Sequence, residues 1–175
     1  MKIIFVTGGA RSGKSAFALK SANAVSGLKL YIATAEELDA EMKDRVQRHR
    51  KERGHDWDTR EEPLNIVGIL PEVMDQYGAV LLDCLTLWLS NVMLQEDKGS
   101  PVDYYIDKLV AQLKSLRDSG TGTLLIVSNE VGMGIVPENK LARRFRDYAG
   151  TLNQRIAELA NEVYMVISGI PVKIK

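Results

Sequence analysis

The sequence lacks a net charge, since its 175 residues include 23 basic and 23 acidic side chains and its pI is about 6.7. No global positive field is available to hold nucleic acid or an anionic membrane, so any polyanion site has to be local. A single cysteine, Cys84, excludes an internal disulfide framework. No run reaches the roughly 18 apolar residues of a membrane span, and the N-terminus enters a predicted strand rather than a signal peptide. We expect one cytoplasmic domain, residues 1–175, with no nucleic-acid partner and no membrane span.

Short aliphatic runs alternate with longer segments of helical period, which predicts an α/β fold with a mostly parallel sheet and helices on both faces. An antiparallel C-terminal strand is predicted at 171–174, because it follows the preceding strand after a tight turn. Three stretches are predicted to be irregular, at 54–65, 95–101 and 129–139. The other predicted strands are 2–7, 28–33, 79–83, 123–128 and 163–168, and the predicted helices are 14–24, 36–53, 102–118 and 141–161, with a shorter helix from about Leu85.

The most informative motif follows the apolar run of residues 3–6. It reads G-x-x-x-x-G-K-[ST], in the strand, loop and helix context that a P-loop requires. In such a loop the backbone N–H groups face the phosphates, the Lys14 ammonium reaches the β and γ oxygens, and the Ser15 hydroxyl ligates Mg²⁺. The sequence therefore predicts a nucleoside triphosphate site formed by Gly8, Gly9, Ala10, Arg11, Ser12, Gly13, Lys14 and Ser15.

A second nucleotide signal is the apolar run 79–82, which ends in Asp83 and has the form of a Walker B strand. Acidic residues at strand ends are common, so the interpretation of Asp83 as a Mg²⁺ residue depends on the upstream P-loop. Two GTPase signatures are missing: no D-x-x-G begins at Asp83, and N-K-x-D has only a near miss at 139–142. These absences argue against a switch GTPase.

A strongly basic segment, residues 45–53, carries five fixed cations and a histidine on a predicted helix. Arg45, His49 and Arg53 fall at i, i+4 and i+8, on one helix face. Such a run is usually a solvated basic face. The neighbouring cations also disfavour the protonated imidazole, so a neutral nitrogen of His49 is able to attack phosphorus. The arginines beside it could bind the phosphate oxygens. His55, just beyond the predicted helix, is expected in an exposed turn.

Eight strings, in this order, give the chain a specific resemblance. One of the most specific reads N-E-V-G-M-G-I-V-P, and the set covers essentially the whole chain. Together they resemble the bifunctional adenosylcobinamide kinase/adenosylcobinamide-phosphate guanylyltransferase family of cobalamin biosynthesis. The strings are residues 8–15, 33–35, 39–49, 57–61, 83–89, 129–137, 145–147 and 166–171.

The resemblance implies a P-loop NTPase-like (RecA-like) fold, a guanylylated His49, and a homo-oligomer, namely a trimer. It implies ATP and GTP as nucleotides, with Mg²⁺, and adenosylcobinamide and its phosphate as the other substrates. Some members carry a second histidine directly before the nucleophile, where this chain has Arg48. Beyond the P-loop, the residues implied at the nucleotide are Ala33, Thr34, Ala35, Arg50, Lys51, Glu52, Arg53, Glu61 and Asp83.

Three questions stay open at the level of the sequence. Either Asp83 or Glu130 is a candidate for the base that deprotonates the acceptor hydroxyl. A different small-molecule P-loop kinase would share the loop and Asp83 but have no use for a reactive His49. A nucleotide-gated assembly module would bind triphosphate without turning over a corrinoid. Covalent labelling by GTP would distinguish this family from a different small-molecule kinase. An activity assay with adenosylcobinamide would distinguish it from a nucleotide-gated module.

Overall fold

The computed structural model describes residues 1–35, 56–95 and 101–175. Within these ranges the chain forms seven strands, which all belong to one sheet, and five helices. The strands are β1 (Lys2–Gly8), β2 (Lys29–Ala33), β3 (Trp57–Glu61), β4 (Ala79–Asp83), β5 (Thr123–Asn129), β6 (Glu162–Ile167) and β7 (Ile170–Lys173). The helices are α1 (Lys14–Asn23), α2 (Ile66–Gln76), α3 (Leu85–Leu94), α4 (Val102–Ser119) and α5 (Lys140–Leu159).

The strand order is β3-β2-β4-β5-β1-β6-β7. Every neighbouring pair is parallel except β6 with β7, so the predicted mostly parallel sheet with an antiparallel C-terminal strand is confirmed. β5 separates β1, which leads into the P-loop, from β4, which ends in Asp83. This is the arrangement of a RecA-like sheet, and it places both strand ends at the edge where such sheets bind ligands.

Helices cover both faces of the sheet, as the continuous burial of the central strands requires. On one face Ile3 and Phe5 of β1 belong to a large cluster that includes buried residues of α2, α3, α4 and α5. On the other face Ile4 and Val6 pack in a smaller cluster with Ala18 of α1. Among the described helices, none combines the length and the apolar character needed to cross a membrane.

The C-terminal hairpin is closed by two residues with left-handed backbone, Ser168 at φ 51° and Gly169 at φ 82°. Positive φ at both central positions is the signature of the type I′ turn, whose twist matches that of the flanking strands. The last strand therefore begins at Ile170, one residue earlier than predicted.

Two predictions of secondary structure were wrong. Residues 57–61 were predicted to be irregular but form β3, an edge strand parallel to β2. No helix was predicted between 61 and 79, yet α2 occupies most of that segment and contains Pro71. The loop predicted at 129–139 is confirmed beyond the end of β5, whereas the helix predicted over 36–53 lies outside the described residues.

Candidate active site

The P-loop turns sharply at Gly8, the last residue of β1, which has φ 154°. A Cβ at this position would lie 2.5 Å from the Val166 carbonyl oxygen and 2.7 Å from Ser12 Oγ. Gly13 closes the loop as the N-cap of α1, with φ 93° in the left-handed region. The two glycines of the motif are thus required by backbone geometry and by close packing as well as by access for phosphates.

Lys14 is held at the loop with only 8% of its surface exposed. Its Nζ donates to the carbonyl oxygen of Gly9 at 3.0 Å. The side chain stands in the first turn of α1, whose unsatisfied N–H groups and dipole attract anions to the same place. The structure therefore brings a fixed cation and the helix N-terminus together at the end of β1.

The C-terminal hairpin packs directly on the P-loop. Gly169 N donates to Ser12 O at 2.8 Å, and a Cβ on Gly13 would lie 3.1 Å from Gly169 Cα. The Val166 carbonyl against Gly8 adds a second contact from β6. Because these are mainly backbone contacts, the hairpin holds the loop in position largely through its main chain.

Three predicted site residues lie side by side at the carboxyl ends of adjacent strands. Ala33 of β2 is in register with Glu61 of β3 on one side and with Asp83 of β4 on the other. At a strand spacing of about 4.8 Å, they lie roughly 10 to 19 Å along the sheet edge from β1. An extended nucleotide with its phosphates on the P-loop spans a comparable length. The role of Ala33, Thr34, Ala35 and Glu61 at a nucleotide stays a prediction.

Thr34 is completely buried and ties the end of β2 to the start of α3. Its Oγ1 donates to the Cys84 carbonyl oxygen at 2.7 Å and accepts from Cys84 N at 2.8 Å. Asn91 of α3 donates to the Thr34 carbonyl oxygen at 2.9 Å. Burial, with a smaller contribution from the Asp83 charge, raises the pKa of the Cys84 thiol to about 11, so this cysteine stays protonated and unreactive.

Asp83 is partly buried at the end of β4, where its Oδ2 accepts from Tyr31 OH at 3.2 Å. One carboxylate and the Ser15 hydroxyl are oxygen donors of the kind Mg²⁺ prefers, and the phosphates of a bound nucleotide would supply more. No group of three or more potential His, Cys, Asp or Glu ligands occurs in the part of the chain that the structure describes. The donor set therefore fits Mg²⁺ shared with a nucleotide rather than an all-protein metal cage.

The loop after β5 joins the site through Glu130. Its backbone N donates to Gly8 O at 3.0 Å, while its Oε1 accepts from Gly132 N at 2.8 Å. Thr86 Oγ1 accepts from Asn129 N at 2.6 Å. Neither the threonine nor Asn153, which donates to Asn129 O at 3.1 Å, was identified from the sequence. A polar residue inside a helical apolar stripe is the signal that would have found Asn153.

The predicted nucleophile lies outside the described residues. So do the four predicted nucleotide-binding residues that follow it in the chain, and all of them stay predictions. The residues concerned are His49, Arg50, Lys51, Glu52 and Arg53.

Comparison with known proteins decides which family this P-loop chain represents. The sequence model of the family described as cobinamide kinase / cobinamide phosphate guanyltransferase matches residues 4–174. The chain belongs to this family. The resemblance inferred from the eight strings is thereby confirmed, and the family is one of enzymes in cobalamin biosynthesis.

Relatives in the cobinamide kinase / cobinamide phosphate guanyltransferase family match nearly end to end. The bifunctional adenosylcobalamin biosynthesis protein CobU of Salmonella typhimurium is 42% identical, and that of Escherichia coli is 40% identical, each over 99% of both chains. The protein of the same description called CobP, from Pseudomonas aeruginosa, is 42% identical over 97% of this chain and 95% of its own. Among solved structures, a KaiC-like protein from Pyrococcus horikoshii superposes with a TM-score of 0.48 at 12% identity, covering 94% of this chain and 71% of that one.

Proposed function

We propose that this chain phosphorylates adenosylcobinamide with ATP or GTP and then transfers GMP from GTP to adenosylcobinamide phosphate through a guanylyl group on His49. The match to the family over residues 4–174 carries the two activities. The covalent step rests on His49, whose nitrogen in a basic segment is a suitable nucleophile for phosphorus. The trimeric state and the cytoplasmic location stay predictions.

The first reaction needs charge stabilisation rather than covalent catalysis. The hydroxyl of the aminopropanol group attacks the γ-phosphorus, a new P–O bond forms, and the bond to the β-phosphate oxygen breaks. Lys14 at the P-loop and the first turn of α1 stabilise the charge that develops on the departing diphosphate. Asp83 and Glu130 both stand at this edge as candidates for the base.

The second reaction is a double displacement. A His49 nitrogen attacks the α-phosphorus of GTP, forming a P–N bond while the bond to pyrophosphate breaks. An oxygen of adenosylcobinamide phosphate then attacks the same phosphorus, forming a P–O bond and releasing the histidine. Lys14 would stabilise pyrophosphate as it leaves, so one loop serves both reactions.

Mg²⁺ is the metal that we assign to this site, with Ser15 and Asp83 as the residues that would hold it. When bound, the ion supplies neutralisation of polyphosphate charge. The half-buried position of Asp83 at a strand end, and the oxygen-only donor set, support this assignment.

The covalent step is tested by incubating the protein with GTP that is labelled in the guanosine and the α-phosphate, with no corrinoid present. We expect label on the protein and release of pyrophosphate. Because a phosphoramidate resists alkali and hydrolyses in mild acid, the label should survive the first treatment and be lost in the second. The variant His49→Asn should take up no label and lose guanylyl transfer, while it keeps a substantial part of the kinase activity.

The matched control is His55→Asn, which removes the other histidine of the chain and should leave labelling intact. Labelling that persists in His49→Asn, or that moves to His55, would show that His49 is not the nucleophile. A parent protein that phosphorylates adenosylcobinamide without ever taking up label would be a kinase of another kind. One that binds GTP but turns over no corrinoid would be a nucleotide-gated module.

A further inference from the structure

Arg146 on α5 is a cation that none of the steps above uses. The side chain is partly buried, its Nη1 is shielded from solvent, and Nη1 has no hydrogen-bond partner among the residues that the structure describes. A guanidinium cannot shed its charge by deprotonation, and buried charges in proteins are normally paired. A guanidinium with a shielded Nη1 that lacks a partner among the described residues indicates a position that an anion completes.

The helix places Arg146 beyond the carboxyl ends of the strands. Asn153, seven residues later and on the same helix face, donates to the carbonyl oxygen of Asn129, which is in register with Gly8. Just after the helix, Asn161 binds Ile3 at the opposite edge of the sheet. At 1.5 Å per residue, Arg146 stands about 10 Å from Asn153 along the helix axis, on the side away from Ile3. Arg146 therefore lies level with the P-loop or farther out, beyond the carboxyl ends of the strands.

Arg146 and Lys14 approach this edge from opposite faces of the sheet. Ala149, one turn after Arg146, packs in the large cluster with the buried residues of α2, α3 and α4. Ala18, one turn after Lys14, packs in the smaller cluster on the other face. A phosphate at the strand ends would thus have one cation on each side, and the loop on the α5 side begins with Glu130, which bonds to Gly8.

We propose that Arg146 binds a phosphate oxyanion of a substrate at this edge, opposite Lys14. The inference rests on the proposed function, in which phosphates come from the nucleoside triphosphate and from adenosylcobinamide phosphate. A guanidinium suits either source, because its planar array of donors matches two phosphate oxygens at once. Arg146 forms no covalent bond and positions the oxyanion for the reaction.

The test uses two variants of Arg146. Arg146→Met keeps most of the length of the side chain and removes its charge, whereas Arg146→Lys keeps the charge but lacks the planar array of donors. The matched control is Arg155→Met on the same helix, where Arg155 Nη1 bonds to the exposed Asp107 at 2.6 Å. Calorimetry measures binding of GTP with Mg²⁺, and steady-state assays measure KM and kcat for adenosylcobinamide phosphate. We expect Arg146→Met either to weaken GTP binding or to raise the KM for adenosylcobinamide phosphate by about 10- to 100-fold. Arg146→Lys should restore part of this loss.

The two measurements identify the source of the phosphate. Weaker GTP binding assigns Arg146 to the nucleotide, whereas unchanged GTP binding with a raised KM for adenosylcobinamide phosphate assigns it to the acceptor. In either case the melting temperature of Arg146→Met should equal or exceed that of the parent, because a charged group whose shielded Nη1 has no partner among the described residues has been removed.

Two outcomes would overturn the proposal. In the first, both measurements stay within twofold of Arg155→Met. In the second, Arg146→Met and Arg146→Lys both melt well below the parent, which would make the guanidinium a structural group. GTP binding requires no turnover, so this arm is read independently of His49 labelling, and failure of the guanylyl-histidine step is told apart from failure of the Arg146 assignment.

Discussion

At the scale of single residues, Lys14 combines burial with positive charge. Only 8% of it is exposed, and its ammonium donates to the Gly9 carbonyl in the P-loop. A buried ammonium is costly to desolvate, so this arrangement favours a site that gains a polyanion. The Gly9 contact holds the side chain at the P-loop, which would lower the cost of ordering it when a nucleotide binds.

We therefore expect Lys14→Ala to slow both the kinase and the guanylyl transfer by about 100-fold or more, the usual loss for one preorganised electrostatic contact. Both rates should be measured on one preparation. Near-parental activity in either reaction would mean that the two reactions do not share the P-loop.

Thr34 belongs to the same edge of the sheet but acts on the protein itself. Its hydroxyl satisfies both the N–H and the carbonyl of Cys84, and it is completely buried. Replacement by Val keeps the shape of the side chain but leaves the buried Cys84 N–H without its acceptor, while the Cys84 carbonyl keeps the bond from Trp88 N at 3.2 Å.

For Thr34→Val we expect a loss of about 1 to 3 kcal/mol in the free energy of unfolding, measured by urea denaturation. Thr151→Val, an exposed threonine on α5, is the control and should change stability by less than about 0.5 kcal/mol. Equal stability of the two variants would show that the Cys84 contacts are not structurally important.

At the scale of elements, the P-loop and the C-terminal hairpin form one packed unit. The Val166 carbonyl oxygen approaches so closely that residue 8 has no room for a Cβ. At Gly9, the next residue, no atom of the described part of the chain lies within 4 Å of a Cβ built there. Alanine substitutions at these two neighbouring glycines therefore distinguish the need for space at residue 8 from a need for backbone flexibility in the loop.

We expect Gly8→Ala to reduce the free energy of unfolding by about 2 to 4 kcal/mol, because it adds backbone strain and pushes against the hairpin. Gly9→Ala should change stability by less than about 1 kcal/mol. Thermal unfolding of both variants checks this, and comparable destabilisation by the two would contradict the close packing seen at Gly8.

The elements also show where the sequence was read incorrectly. α2 has its buried residues at helical spacing, Ile66, Ile69, Leu70, Val73 and Met74, and Asn65 caps it by accepting from Gly68 N. Gly68 and Pro71 disfavour a helix, so they concealed this helical spacing in the sequence. β3 offers no comparable signal, because an edge strand with partly exposed, charged residues has no apolar alternation. Its existence depends on pairing with β2.

At the scale of the whole molecule, Glu162 links the first strand to the last two. Its carboxylate pairs with Lys2 of β1 and Lys173 of β7, and it accepts from Tyr164 OH at 2.6 Å. The hydrogen bond from Lys2, followed by the one from Tyr164, lowers the pKa of Glu162 from 4.5 to about 2. Hydrogen bonding to this carboxylate raises the pKa of Tyr164.

Because the folded protein holds this carboxylate ionised, its contribution to stability is present above about pH 4.5 and is lost as the pH falls toward 2. We expect Glu162→Gln to cost about 1 to 2 kcal/mol at pH 7, after allowance for screening, and to flatten the pH dependence of unfolding between pH 4.5 and 2. The control is Glu72→Gln, whose exposed partner Arg60 lies 3.7 Å away. Parallel pH profiles for Glu162→Gln and the parent would contradict this account.

The sequence by itself determined the class of fold, the P-loop, the strand ending in Asp83 and the family. Each depends on local order along the chain: hydrophobic period, turn residues, and residue types at fixed spacing. Only the tertiary structure decided that Thr34 is a buried clamp, that the hairpin lies on Gly8, and that Arg146 Nη1 is shielded without a partner among the described residues. These features join residues far apart in the chain, so they depend on which strands and helices become neighbours, which no local pattern specifies.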